Sequence, residues 1–450
     1  MPDASILSVL RERAGLTPDD VAYTFTDYDH DWDGVTESLT WAQLYRRTLN
    51  VAHELRMHGV PGDRALIIAP QGLAYIVGFL GAMQAGFIAV PLSVPLPGSH
   101  DERVSAVITD TSPTVVLTTA AAFDIAAQNV DDGASMVAVI AVDTLDLDAD
   151  RDFDEEVPPG PDIAYLQYTS GSTRLPAGVM ISHKNLRVNV EQLLADLLSE
   201  HGGELPPGST LVSWLPFYHD MGLVLGIAVP IFSGHKGDLM SPIAFLTRPV
   251  RWLQALSRNN PAWSAAPNFA FDLATRRVTD EEMAELDLSG IIGINNGAER
   301  IHPPTLIKFD ERFAAVGFRP EMMVPSYGLA EATLYVASGA HGRAPEVVEF
   351  AADELTQGIA LRKAGGTPLM RYGRAPSPLL EIVDADTCQV CPDGVVGEIW
   401  VRGDNVSAGY WRKPEQTGSA FGASLVDAPE GTPETGWLRT GDQGFLSDGD

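Results

Sequence analysis

The sequence predicts an α/β protein, with mostly parallel sheets carrying helices on their faces and a smaller β-rich region after them. Three observations carry this reading. Apolar runs of strand length alternate with helix-length amphipathic segments as far as about residue 340. The stretch from Ala65 to His100 contains no charged residue yet is broken by proline. Beyond about Ala340 the texture changes to short strands and turns with few helices.

The elements follow in order. The N-terminus, MPDASILSVLRERAG, lacks a basic segment followed by an apolar core, so no signal peptide is expected. WAQLYRRTLNVAHELRMHGV places Trp41, Leu44, Tyr45, Thr48, Ala52 and Leu55 on one helical face, and DRALIIAP follows as a short buried strand. In the charge-free stretch, Pro70, Pro91, Pro95 and Pro97 forbid one long helix, and Gly86 separates a helix-length piece from the strand FIAVPL. The expectation is buried βαβ structure, not a membrane span. TVVLTT, MVAVIAV, IAYLQYT and TLVSWL continue the alternation. The acidic stretch from Asp143 to Glu156, followed by Val-Pro-Pro-Gly, reads as a surface loop. LLEIVDAD, CPDG and GEIWVRG belong to the β-rich region, and no internal repeat is present.

Composition narrows the function. The chain has 450 residues, 45% of them hydrophobic and 20% charged, which is globular usage. With 60 acidic and 30 basic residues the net charge is -30, a surface that repels nucleic acid and anionic lipid. A small nucleotide held in a cleft is compatible with it; a DNA track is not. Cys388 and Cys391 are the only cysteines, too few for a four-cysteine zinc site. They precede a Pro-Asp-Gly turn instead of the helix a thioredoxin-type motif requires, so two reduced thiols in a hairpin are expected, which suits a cytoplasmic protein.

The chemistry centres on YTSGSTRLPAGV, Tyr168 to Val179. It is not a Walker loop, because the spacing fails and the lysine is missing. Thr169, Ser170, Gly171, Ser172 and Thr173 could still hold phosphates through hydroxyls and backbone N–H groups. Alone, the string reads more readily as a plain Ser/Thr/Gly turn.

Its company changes that reading. YTSGSTRLPAGV, LPFYHDMGL (215–223), NNGAER (295–300), PSYGLAEAT (325–333), GEIWVRGDNVSAGYW (397–411) and WLRTGD (437–442) stand in the order and spacing of the adenylate-forming enzymes. The chain resembles that superfamily of acyl-CoA synthetases, luciferase and nonribosomal adenylation domains along its whole length. Within it, Thr-Arg after the Ser-Gly-Ser core, Pro-Ala-Gly where CoA ligases usually carry Pro-Lys-Gly, and SWLPFYHDMGL resemble the long-chain fatty acyl-AMP ligases of mycobacteria.

The resemblance implies the large N-terminal domain of that fold, with stacked βαβ sheets and a small β-barrel-like subdomain. The division it implies is residues 1–340 for the ATP and acyl sites and 341–450 for the β-rich part. The small C-terminal domain, which bears the family's catalytic lysine, would begin after Asp450, so this chain is expected to form the adenylate slowly or not at all. The implied reaction joins a long-chain fatty acid to ATP, giving acyl-AMP and pyrophosphate with Mg²⁺. The acyl group then passes to an acyl carrier protein domain of a polyketide synthase in envelope lipid biosynthesis.

Residue by residue, Thr169 to Thr173 would cradle the β- and γ-phosphates, and Glu331 would be the Mg²⁺ carboxylate with Thr169 as a second oxygen ligand. Tyr327, with Gly328 beside it, would stack on the adenine opposite Gly297, Ala298 and Glu299. Asp442 would accept the ribose hydroxyls. His219 would stand beside the acyl carboxylate and α-phosphate. MGLVLGIAVPIF and WSAAPNFAF are candidate walls of an acyl tunnel. A subfamily insertion is expected near 350–374, where Arg362, Lys363, Arg371 and Arg374 cluster. The alternatives are a long-chain acyl-CoA ligase and a nucleotide- or lipid-binding module without catalysis.

Overall fold

The computed structural model describes residues 4–95, 101–130, 137–151, 162–169, 176–199, 202–374 and 376–449. They form two compact units, each assembled from separate stretches of chain.

The first unit comprises Met1–Arg187, Ser213–Phe245 and Tyr410–Arg412. Its principal sheet has six strands in the spatial order Ala138–Ala141, Val115–Thr118, Arg64–Ile68, Ile88–Leu92, Ile163–Thr169 and Ala177–Ser182. All neighbours are parallel except the last pair. Residues 65–68 and 88–92 are buried throughout, as expected of parallel strands covered on both faces. The helix Leu73–Gln84 between them is buried on every side, which explains why its sequence carries no charge.

The neighbouring helix Trp41–Leu55 opens with a capping box in which Thr40 and Gln43 satisfy each other's backbone N–H groups. The predicted face is buried apart from a half-buried Tyr45, and Leu49, Asn50 and Val51 widen it. These two helices approach so closely that a Cβ on Gly81 would lie 2.5 Å from Val51, which is why glycine is needed there. The strand Val21–Asp27 pairs antiparallel with Val35–Thr40 and parallel with Lys236–Met240.

The second unit comprises Val188–Val212, Leu246–Gly409 and Lys413–Asp450. In it Ala262–Ala266 pairs parallel with residues 210–212 and with Ile291–Asn296, which in turn pairs parallel with Met323–Gly328. Met323–Gly328 then pairs antiparallel with Tyr335–Ser338. Phe271, Phe309, Phe313 and Phe318 pack edge to face or tilted beside Trp252.

Apart from residues 410–412, the β-rich stretch beyond residue 341 falls in this unit. It forms an antiparallel sheet in the order Leu379–Val383, Gly397–Arg402, Thr435–Gly444 and Ala423–Ser424, and a hairpin of Val347–Phe350 with Thr367–Met370. Trp400 and Trp437 are fully buried with Val383 and Leu425, and truncating either to alanine should cost about 3–5 kcal/mol. Cys388 and Cys391 are half-buried free thiols following the strand Leu379–Val383, and Cys388 adopts a positive φ of 57°. Among the described residues, no helix is long and apolar enough to cross a membrane.

Candidate functional site

The predicted phosphate loop leaves the sheet at Thr169 and returns at Ala177, which are register partners. Thr169 is half-buried at the strand end. Ser170, Gly171, Ser172 and Thr173 lie outside the described residues. The stems below them are pinned on both sides. The Tyr168 hydroxyl donates to Asp110 Oδ2 at 2.6 Å, and its ring lies where a Cβ on Gly178 would come within 2.8 Å. Burial, reinforced by Asp110, pushes the Tyr168 hydroxyl well above its ordinary pKa. On the other stem, the Trp411 N–H donates to the Gly178 carbonyl at 2.7 Å, and the guanidinium of Arg412 lies 5.5 Å from the Trp411 ring.

His219 belongs to the same unit. Gln167 Nε2 donates to the Tyr218 carbonyl, tying the loop strand to the histidine segment. Gln71 fastens that segment further, donating to the carbonyls of Leu215 and Met240 and accepting from the Phe217 N–H. His219 caps the short helix Asp220–Leu223. Its Nδ1 lies 2.6 Å from Asp220 Oδ1 and 3.3 Å from the Met221 nitrogen. Both cannot be its hydrogen bonds. The shorter contact requires a proton on Nδ1, and the Met221 N–H has Asp220 Oδ1 at 2.6 Å as its own acceptor. Burial lowers the His219 pKa, but the hydrogen bond to Asp220 and its charge outweigh that, and the net direction is up. Nε2 is then the ring nitrogen left to meet a substrate.

The chain continues as a π-helical turn, Val224–Ala228, and a helix, Val229–Ser233. Single π-turns recur at functional sites. Gly222 has no alternative, since a Cβ there would meet the Pro216 carbonyl oxygen at 2.1 Å. Of residues 221–232, the first candidate tunnel wall, 221–231 are buried and Phe232 is half-buried. Of the other stretch, Trp263–Ala266 is a buried strand and Phe271 is part of the aromatic core, while Phe269 is 43% exposed.

The residues expected to surround the base lie in the second unit; 297–299 and 327–328 stand at or just beyond the C-terminal ends of two parallel strands, where α/β sheets bind ligands, and Asp442 lies in the strand Thr435–Gly444. Gly297 follows Ile291–Asn296, and a Cβ on it would stand 2.8 Å from the Ser326 carbonyl oxygen. Ala298 has a positive φ of 64°, and Glu299 Oε1 accepts from the Phe269 N–H at 2.6 Å. At the end of the neighbouring strand the Tyr327 hydroxyl donates to Asp442 Oδ2 at 2.8 Å. Burial first, then Asp442, raises the Tyr327 pKa far above its ordinary value. Ala298, Glu299, Tyr327, Gly328 and Asp442 line one cavity of 590 Å³. Phe350, Leu369 and Met370, which fall within the expected insertion, also line it, together with residues from the neighbouring antiparallel sheet such as Leu380 and Ile399. Glu331 lies on a 3₁₀ turn, Ala330–Ala332, three residues beyond Gly328.

As for Mg²⁺, no group of three or more His, Cys, Asp or Glu side chains able to hold a metal occurs among the described residues. A single carboxylate, as at Glu331 in the second unit, is the kind of donor that suits a magnesium ion carried mainly by substrate phosphates and water. The chemistry of Glu331 fits the ion in that sense. Sequence reasoning overlooked Asp220 as the partner of His219, although His-Asp adjacency was visible, and it had no signal for Asp110 or for the Tyr327–Asp442 pair.

A family model described as AMP-binding enzyme matches residues 10–411. A Mycobacterium leprae protein provisionally named fatty-acid–CoA ligase FadD21 is 58% identical over all of this chain and 78% of its own length. The long-chain-fatty-acid–AMP ligase FadD28 of Mycobacterium tuberculosis is 54% identical over 99% of this chain and 77% of its own. The crystal structure of a fatty acyl-adenylate ligase from L. pneumophila, in complex with acyl adenylate and pyrophosphate, superposes with a TM-score of 0.89 at 33% identity. That likeness covers 99% of this chain and 76% of the other. The fold and the motifs thus define an adenylate-forming enzyme. The chain belongs to the AMP-binding enzymes, in the group of fatty-acid ligases that includes FadD21 and FadD28.

Proposed function

We propose that this protein activates a long-chain fatty acid with MgATP to acyl-AMP and pyrophosphate, and that the acyl group is destined for an acyl carrier protein domain of a polyketide synthase. The observation that carries the first half is the convergence of Ala298, Glu299, Tyr327, Gly328 and Asp442 on one cavity. In this reading adenine lies against Tyr327 opposite Ala298, and Asp442 turns from the Tyr327 hydroxyl to the ribose. Thr169 and the hydroxyls after it hold the phosphates. Protonated His219, its Nδ1–H fixed by Asp220, donates from Nε2 to the negative charge between carboxylate and α-phosphate. Glu331 would hold Mg²⁺, with Thr169 offered as a second oxygen donor, and the ion would supply positive charge to offset that of the phosphates.

Support for an AMP ligase over a CoA ligase comes from the Pro-Ala-Gly loop and from the names of FadD28 and the L. pneumophila enzyme. The name of FadD21 favours the CoA ligase. Fatty-acid-dependent exchange of labelled pyrophosphate into ATP tests the first step. Thioester formation on CoA and on a phosphopantetheinylated carrier domain, measured side by side, tests the second. Exchange without a fatty acid requirement would overturn the adenylation reading, and acyl-CoA as the sole thioester would overturn the carrier assignment.

A further inference from the structure

The backbone directly after Glu331 is strained. Thr333 has φ 72° and ψ -57°, and the Leu334 N–H donates to the Ala332 carbonyl at 2.9 Å. This is a γ-turn of the positive-φ kind, the rarer of the two and unfavourable for a β-branched residue. Such strain persists only where surrounding structure over-determines it, and it gathers at functional sites.

Here the surrounding structure can be named. The Thr333 hydroxyl donates to the Asn405 carbonyl at 2.7 Å. Asn405 Nδ2 donates to the carbonyls of Ala332 at 3.1 Å and Tyr335 at 3.4 Å. The Ser407 N–H donates to the carbonyl of Glu331 itself at 2.9 Å. The Leu329 N–H donates to the Leu334 carbonyl, closing the six-residue loop at its base. Thr333 and Asn405 are both fully buried. Asn405 Oδ1 has no hydrogen-bond partner. It lies where a Cβ on Gly403 would come within 2.5 Å. A buried, half-satisfied amide is costly in a fold that needs only a turn. It is intelligible if the turn must hold one shape.

We infer that Asn405 and Thr333 are positioning residues for Glu331. The segment 403–407 clamps a strained γ-turn so that the Glu331 backbone is fixed in place before nucleotide arrives. This rests on the reading of Glu331 as the magnesium carboxylate, and it adds two residues whose side chains act on the backbone around Glu331, with Asn405 bonded to Thr333 and Ala332 across 72 and 73 positions of chain.

The test is calorimetric titration of ATP into the chain with magnesium and again with EDTA, for the wild type, Glu331→Gln, Asn405→Ala, Thr333→Val and Thr333→Ser. Magnesium is expected to tighten ATP binding to the wild type, and Glu331→Gln to abolish most of that gain. Asn405→Ala and Thr333→Val are expected to cut the gain by roughly 10-fold, as loss of an outer partner of a metal ligand does. Affinity in EDTA should stay unchanged, and Thr333→Ser, which keeps the hydroxyl, should match the wild type. A full magnesium gain in both clamp variants, with Glu331→Gln impaired, would overturn the positioning role and leave the Glu331 reading intact. Equal weakening with and without magnesium would show a purely structural role and overturn it too. A gain retained in Glu331→Gln, or absent from the wild type, would remove the premise itself. Should Asn405→Ala fold poorly, Thr333→Val decides alone, since it replaces a single hydroxyl by a methyl.

Discussion

Asp220→Asn isolates the charge behind His219 with little change in shape. Asn Oδ1 can still accept the Met221 N–H, but the carboxylate that faces Nδ1 at 2.6 Å becomes neutral. A hydrogen bond to a charged group contributes about 1.5–3 kcal/mol. The His219 side chain is 50% exposed, so solvent screening reduces this to about 1 kcal/mol. The direction with pH follows from the raised pKa of His219 in the fold. A raised base stabilises the native state fully below its unfolded value, near 6.5, and loses that contribution as pH rises through the folded value. The variant should therefore be less stable than the wild type by about 1 kcal/mol near pH 6 and nearly equal to it by about pH 9. The ring protons of His219, assigned by comparison with His219→Gln, give the titration directly by NMR. Denaturant midpoints at the two pH values give the stability. A wild-type His219 titrating at or below the ordinary histidine value, or a stability difference that does not shrink at high pH, would refute the reasoning.

Three further outcomes are expected. Gly178→Ala drives a methyl to within 2.8 Å of a Tyr168 ring already held by Asp110, so urea midpoints should report a loss of about 1–3 kcal/mol; an unchanged midpoint would mean the stems are not tightly packed. Asp442→Ala should weaken binding of an acyl-adenylate analogue about 10-fold or more, whereas Tyr327→Phe, which removes only the hydroxyl, should cost less than about 5-fold. The reverse order in calorimetry would assign the ribose contact to Tyr327. Asp196 accepts hydrogen bonds from the hydroxyls of Tyr335 and Ser338, and burial, partly offset by Ser338, raises its pKa. The fold therefore favours its protonated form, and its contribution declines as pH rises past the unfolded value of 3.8. Asp196→Asn should be better tolerated relative to wild type at pH 8 than at pH 4.5, and equal effects at both in thermal melts would contradict this.

What sequence alone determined is what short-range physics encodes. The 3.6-residue period placed the helix Trp41–Leu55, whose Thr40–Gln43 capping box, found in the structure, also spans only four residues. Charge-free runs marked the buried strand-helix-strand piece around Leu73–Gln84, because a helix covered on every side tolerates no ion. Ordered motifs fixed the family. Tertiary structure alone decided the partners. Tyr327 and Asp442 are 115 residues apart, Tyr168 and Asp110 are 58, and Thr333 and Asn405 are 72. Each pair meets only because sheet pairing and core burial bring distant segments together, and nothing in the local sequence of either member records the other. The same holds for the 590 Å³ cavity, where a hairpin with no motif of its own helps to line a pocket that motif residues begin. Periodicity and capping act over one or two turns of chain, whereas a site is assembled by loop closure across the whole fold.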